Sequence, residues 1–306
     1  MPQISVCIPV YNVEEYIGRC IESVQSQSFY DIEIVIVNDC TKDRSIDIVM
    51  KYAETDNRIK ILEHDVNRGL MMARKTGYMA ATGDYITFLD SDDTLSIGAL
   101  ETLYSVAIKE DADIVSGTIQ YIPNNEQRYL LPNKMQYGTD RISVYKSLLK
   151  NECGHNLCSR LFRRELLQNY IYQTFEGATN GEDGILFYQV VNNANHIIPI
   201  ENIVYEYYYN SLSSSQVKYG EVALKSIMIL NSIRIQTAGQ YPELKKLVSK
   251  KISEVLFGLK INGYNINEYI AEQSLEYYCK TSTLIDLLGI TKTIALYLKL
   301  LYNKIR

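Results

Sequence analysis

The chain's 306 residues, 46% apolar and 22% charged, have the proportions of a globular protein with a substantial core, which excludes a disordered or fibrous class. A net charge of −5, with no basic stripe ahead of the C-terminal region, excludes a general nucleic-acid binder. The charge is uneven: from Tyr241 onward ten Lys and Arg meet six Asp and Glu, a basic tail suited to an anionic surface. Met1 leads into a strand within three residues, so no signal peptide is expected, and no uncharged apolar run reaches the roughly eighteen residues that span a bilayer. The expected location is the cytoplasm.

Residues 3–10 are short, apolar and β-branched and predict a first strand; Val13, Ile17, Cys20, Ile21 and Val24 then fall at helical spacing, with Asn12 and Glu15 placed as a capping box. The pattern repeats as strand 32–37, helix 41–53, strand 58–62, helix 68–81, strand 85–89, helix 95–110 and strand 114–119. Strands that are apolar throughout, separated by helices, predict an α/β fold: a Rossmann-like, mainly parallel sheet with helices on both faces. In such sheets ligands gather beyond the carboxyl ends of the strands, where this chain places Tyr11-Asn12, Asn38-Asp39, His64-Asp65 with Asn67-Arg68-Gly69, and Asp90-Ser91-Asp92-Asp93.

The last of these carries the chemistry. Three acids within four positions repel one another, and a hard divalent cation is their natural neutraliser. Such a cation keeps one or two carboxylates and completes its shell from phosphates, which points to a phosphorylated or nucleotide-linked substrate. The competing reading is an acidic turn in which Asp92 or Asp93 caps a helix starting near Thr94; capping accounts for one acid and leaves two. No Gly-x-Gly-x-x-Gly follows the first strand and no Gly-Lys-Ser or Gly-Lys-Thr loop occurs, so phosphate would be held by the metal and by cations such as Arg68, Arg74 or Lys75.

Ile8-Pro9-Val10-Tyr11-Asn12, Val37-Asn38-Asp39, Asn67-Arg68-Gly69, Ala73-Arg74, Gly83-Asp84-Tyr85-Ile86, Asp90-Ser91-Asp92-Asp93 and Gly181-Glu182-Asp183, in that order, resemble family 2 of the inverting glycosyltransferases, with their GT-A-type fold. The resemblance runs from about residue 3 to 215 and implies a nucleotide-sugar-binding and catalytic domain over 1–215, with a helical C-terminal region over 216–306. It also implies a nucleotide-sugar donor, most often a UDP-sugar, a saccharide or lipid-linked saccharide acceptor, and Mn2+ or Mg2+. By position, Pro9, Tyr11 and Glu14 would border the base and Asp39 would accept from the uracil ring nitrogen; Asn67 and Ser91 fall in the same donor-binding motifs. Arg74 would lie near the diphosphate, Asp90 near the ribose or metal, Asp92 on the metal, and Asp183 would be the base. Glu182 reads better as the N-terminal dipole partner of the helix that follows.

Beyond this the signal thins. Residues 120–137 predict a hairpin or loop, 140–150 and 159–169 helices, and 197–205 a strand followed by Tyr207-Tyr208-Tyr209-Asn210. Family members often carry Trp and Lys near residues 155–164 and an Arg after the aromatic run; this chain has neither Trp nor Lys in the first stretch and has Asn210 in the second, with Lys218 as a substitute cation. Cys7, Cys20, Cys40, Cys153, Cys158 and Cys279 read as small hydrophobes in a reducing compartment, and no ligand pair at zinc spacing follows Cys153 and Cys158. Helices are expected over 221–236, 242–262, 268–280 and 283–305. The last is apolar and basic, fitting either peripheral contact with the inner face of a membrane or docking on its own domain or a second copy in a homodimer. Two rival functions stand beside the transferase: a haloacid-dehalogenase-type phosphatase, since Asp90 to Thr94 also spells Asp-x-Asp-x-Thr with Asp90 as nucleophile, and a non-catalytic nucleotide-sugar-binding subunit.

Overall fold

The structure is a computed structural model that describes residues 1–122, 139–168, 181–210, 221–272 and 275–280, together with positions 288, 292 and 293. In chain order it runs β1 (Ile4–Val10), α1 (Ile17–Gln25), β2 (Ile32–Asn38), α2 (Ser45–Ala53), β3 (Ile59–Glu63), α3 (Leu70–Ala80), β4 (Tyr85–Phe88), β5 (Thr94–Leu95), α4 (Ala99–Lys109), β6 (Ile114–Ile122), α5 (Arg141–Lys150), β7 (Arg160–Arg163), α6 (Arg164–Gln168), α7 (Glu182–Val191) and β8 (Ile197–Tyr208). Then come α8 (Glu221–Gln240), a 3-10 turn Pro242–Leu244, α9 (Lys245–Ile261), α10 (Asn267–Glu272) and α11 (Glu276–Cys279).

The eight strands form one sheet in the order β3-β2-β1-β4-β7-β6-β8-β5. β1 pairs in parallel with β2 and β4, β2 with β3, and β6 with β8. β7 is antiparallel to both β4 and β6, and β5 to β8. Every residue of β1 and β2 is buried, as unbroken apolar runs require when helices cover the sheet. α3 packs on β1 and β2, and α4 on β6 and β8. The glycine before β4 lets two backbones touch: a Cβ on Gly83 would stand 2.7 Å from the Ser5 nitrogen.

Within the first two hundred residues three expected elements differ. Residues 159–169 are not one helix, because Arg160–Arg163 bridges β4 and β6 as β7; a sheet with unpaired edges there would leave buried N–H and C=O groups without partners, which outweighs local helical preference. The helix expected from 95 begins at Ala99, behind a left-handed Gly98, since Thr94–Leu95 is taken by pairing with β8; no acid caps it. The capping box at Asn12 and Glu15 does not form either: α1 starts at Ile17, and Asn12, at φ 53°, spends its side chain on the Lys42 N–H at 3.0 Å.

The chain divides into two compact units, one of Met1–Leu148 and Glu152–Ile227, the other of Leu149–Asn151 and Met228–Arg306. In the second unit the expected 268–280 helix is two short ones, interrupted at Leu275. All six cysteines are free. No helix among the described residues is long and apolar enough to cross a membrane. The loop over 123–137, Lys218 and nearly all of the basic 283–305 segment lie outside the described residues.

Candidate active site

β4 is clamped between β1 and β7, and the Leu89 N–H continues its ladder to the Cys7 carbonyl at 3.0 Å, so Asp90 emerges at a fixed point. The chain then turns, with the Asp93 N–H on the Asp90 carbonyl at 3.1 Å. The three acids divide the work. Asp93 is buried and accepts the Tyr205 hydroxyl at 2.6 Å and the Tyr208 N–H at 2.8 Å, tying the turn to β8. Burial, with Asp90 and Asp92 close by, pushes its carboxyl up to about 8.

Asp92 accepts the Asn210 side-chain amide at 3.1 Å, and its backbone carbonyl takes the guanidinium of Arg19 from α1, which lies 3.9 Å over the Tyr208 ring. Burial first, and the neighbouring Asp90 second, raise the Asp92 carboxyl above its ordinary value. Asp90 is 32% exposed; its Oδ2 accepts the Cys158 thiol at 3.2 Å and its Oδ1 accepts Arg74 Nη2 at 2.7 Å. Ser91 is buried within the turn.

Arg74 is the centre of the arrangement. Carried on α3 and only 4% exposed, it donates through Nη2 to Asp90 and through Nη1 to Asp183 Oδ1 at 2.5 Å, with Glu182 Oε1 3.8 Å away. Its guanidinium is engaged by these carboxylates. Asp183, 26% exposed at the start of α7, also accepts the Leu157 N–H at 3.4 Å. Burial raises its carboxyl, Arg74 opposes this and Asp90 adds to it. Glu182 accepts the Gly181 N–H at 2.9 Å and is pushed up to about 7 by burial and by Asp183. Gly181 stands at φ 143°, a backbone region suited to glycine, and so turns the chain into α7.

At the tips of β1 and β2, Pro9 pairs in register with Val37, and Tyr11 projects with 42% exposure. Glu14 is held at the start of α2, accepting the Arg44 N–H at 2.9 Å while its own N–H donates to Asp43 at 2.9 Å. Asp39 is buried and accepts the N–H groups of Arg68 and Gly69, each at 2.8 Å, and His64 Nδ1 at 2.7 Å. Asn67 sits exposed in the same loop. The sequence marked His64 only as part of a polar strand end and Asn210 only as standing where the family has an Arg; it gave no signal for Arg19, Cys158 or Tyr205, which reach the acids from elements distant in the chain.

Among the described residues no three His, Cys, Asp or Glu side chains form a ready-made metal cage. Asp90 and Asp92 nevertheless offer two hard oxygen donors whose mutual repulsion a cation would relieve, the donor set of an ion that takes its other ligands from phosphate and water.

Residues 5–171, more than half of the chain, match the sequence profile described as glycosyl transferase family 2. The chain belongs to that family. Among the proteins this family 2 chain is similar to are glycosyltransferase GlyA of Streptococcus pneumoniae, 32% identical across 70% of this chain and 32% of GlyA, and glycosyltransferase EpsJ of Bacillus subtilis, 33% identical across 72% of this chain and 64% of EpsJ. The chain therefore spans about a third of the first relative and less than two thirds of the second. In fold it is similar to residues 1–349 of Staphylococcus aureus TarS, solved in complex with UDP-GlcNAc, with a TM-score of 0.77 at 18% identity over 99% of this chain and 89% of that one. The fold of this family 2 chain is thus of the GT-A type, with a helical C-terminal region.

Proposed function

We propose that the chain is a metal-dependent inverting glycosyltransferase that moves a sugar from a nucleotide-sugar, most readily a UDP-sugar, to a hydroxyl of a saccharide or lipid-linked saccharide acceptor. The observation that carries this reading is the single guanidinium of Arg74 gripping Asp90 and Asp183 together, which brings the leaving-group side and the base side of one displacement to one place. Asp183 takes the proton of the acceptor hydroxyl as its oxygen bonds to the anomeric carbon, and a carboxyl raised above the ordinary range is better matched to that task at neutral pH. The bond to the diphosphate breaks on the opposite face, so the configuration inverts in one step. Asp92 and Asp90 would hold Mn2+ or Mg2+, which when bound offsets the negative charge building on the leaving diphosphate. Pro9, Tyr11, Glu14, Asp39, Asn67 and Ser91 would line the nucleotide side. The basic C-terminal tail suits a cytoplasmic protein that meets its acceptor at the inner face of a membrane.

The test is calorimetric and catalytic. UDP-, GDP- and dTDP-sugars are titrated with and without Mn2+, and transfer or donor hydrolysis is followed for the chain itself, for Asp92→Ala and for Asp183→Asn. The expected outcome is Mn2+-dependent binding of one donor, its loss in Asp92→Ala with the melting temperature unchanged, and binding without transfer in Asp183→Asn. Undiminished turnover in Asp92→Ala removes the metal role, and binding with neither transfer nor hydrolysis leaves a binding subunit. The phosphatase reading gives way to family membership, and Thr94 of its motif is paired in β5, with its hydroxyl on Glu206 at 2.9 Å.

A further inference from the structure

β2, β3 and α3 are joined by a largely buried chain of side chains that the displacement chemistry does not use. His64 Nδ1 lies 2.7 Å from Asp39 Oδ1 and His64 Nε2 lies 2.8 Å from Thr76 Oγ1, with the His64 and Asp39 side chains 5% and 4% exposed. An ionised carboxylate only accepts, so Nδ1 carries a proton toward it, and in the neutral ring Nε2 accepts from the Thr76 hydroxyl. Thr76 lies on α3, the helix that also carries Arg74.

The consequence is a count of lone pairs. Oδ1 of Asp39 is filled by His64 and the Arg68 N–H, while among the described residues Oδ2 takes only the Gly69 N–H. Each carboxylate oxygen has two acceptor directions, so one position remains, on Oδ2. It lies at the tip of β2, where the Asp39 N–H bonds to the Val10 carbonyl and Tyr11 follows next in the chain. One leftover acceptor selects for a ring N–H. Uracil, thymine and guanine present one on the pairing edge, whereas cytosine presents a bare nitrogen there.

We propose that His64 is a positioning residue for donor-base selection: anchored by Thr76, it pins Asp39 Oδ1 so that Oδ2 alone is offered to the ring N–H of the nucleotide. The inference rests on the donor-binding reading above, in which Asp39 faces the base. A carboxylate released from His64 can turn about its last torsion and lose that single direction, as happens when the partner that orients a functional group is removed. If His64 merely tied β3 to α3, its loss would disturb every nucleotide alike.

The experiment is isothermal titration of UDP and CDP, each with Mn2+, against the full chain and three variants. His64→Leu should weaken UDP about tenfold or more while moving CDP less than about threefold, the size of one lost hydrogen bond to a charged group. His64→Asn, whose amide N–H falls near the Nδ1 position, should keep UDP within about threefold. Thr76→Val, which removes only the anchoring hydroxyl, should lower the UDP-to-CDP ratio by about threefold and decides the matter if His64→Leu fails to fold. An unchanged UDP-to-CDP ratio in Thr76→Val and in a folded His64→Leu overturns the proposal. Absence of UDP binding by the unaltered chain sinks the donor reading and this inference with it. UDP bound normally by all variants sinks this inference alone.

Discussion

Arg74 shows how much one residue settles. Its two Nη groups meet Asp90 and Asp183 at 2.7 and 2.5 Å, and a bidentate fork of this kind is not reproduced by a lysine's single ammonium. Arg74→Lys is expected to lower kcat by about a hundredfold with a smaller effect on folding, checked by steady-state kinetics alongside a melting curve. The pH profile follows from the directions of the shifts. In the proposed mechanism Asp183 acts as base and must be ionised; burial raises its pKa, so kcat/KM should fall on the acid side along a limb displaced upward from the ordinary carboxylate value of about 3.9. Because Arg74 lowers the Asp183 pKa, Arg74→Gln should move that limb to higher pH; a limb that stays put would deny Asp183 the role. The acids themselves were legible in the sequence, as an acidic cluster no core requires and as a family motif. Their shared guanidinium was not, because 109 positions separate Arg74 from Asp183.

Among the elements, strands buried on both faces were legible and pairing was not. Apolar runs such as residues 32–38 could hardly be anything else, and their spacing with helices implied parallel order. Arg160–Arg163 carries charged ends that suit a helix as well as a strand, and only the gap between β4 and β6 decides it. Glycines mark where elements touch. At Gly83 an added Cβ would meet the Ile4–Ser5 peptide bond, 2.7 Å from the Ser5 nitrogen and 2.9 Å from the Ile4 carbonyl carbon, so β1 itself must shift. Gly83→Ala should destabilise by about 1–3 kcal/mol, read as a lower denaturant midpoint at unchanged slope, whereas Gly98→Ala meets open space and is strained only by its φ of 73°. Gly69, at φ 86°, both bonds Asp39 and opens α3, which ties Asp39 to the helix that carries Arg74.

For the molecule as a whole, Glu33 is a buried acid that fastens the first strands together. Its Oε1 accepts the Ser5 hydroxyl at 2.6 Å and the Thr82 N–H and hydroxyl at 2.5 and 2.9 Å, while Oε2 meets Lys60 at 2.5 Å. Burial alone would raise its carboxyl, but Lys60, Ser5 and Thr82 outweigh it and hold the group down at about 2, against an ordinary value of 4.5. A folded pKa below the unfolded one gives stability that is present above about 4.5 and lost as pH falls toward about 2. Glu33→Gln should therefore cost on the order of 2 kcal/mol at neutral pH and little near pH 2, measured by urea unfolding across that range.

Taken alone, the sequence determined the α/β class and the family to which the acidic turn and its companion motifs belong, and pointed to the strand ends as the candidate site. These are properties of local order: hydrophobic period, turn residues and short motifs survive in a linear string. Tertiary structure alone decided that Asp93 is tied to β8 while Asp90 meets Arg74 and Asp92 meets Asn210, that Arg74 bridges two carboxylates, and that His64 bonds Asp39. Burial and electrostatic coupling depend on distance in space, and residues from β2, β3, α3, the β4 turn, α7 and β8 become neighbours only once the sheet has set its order.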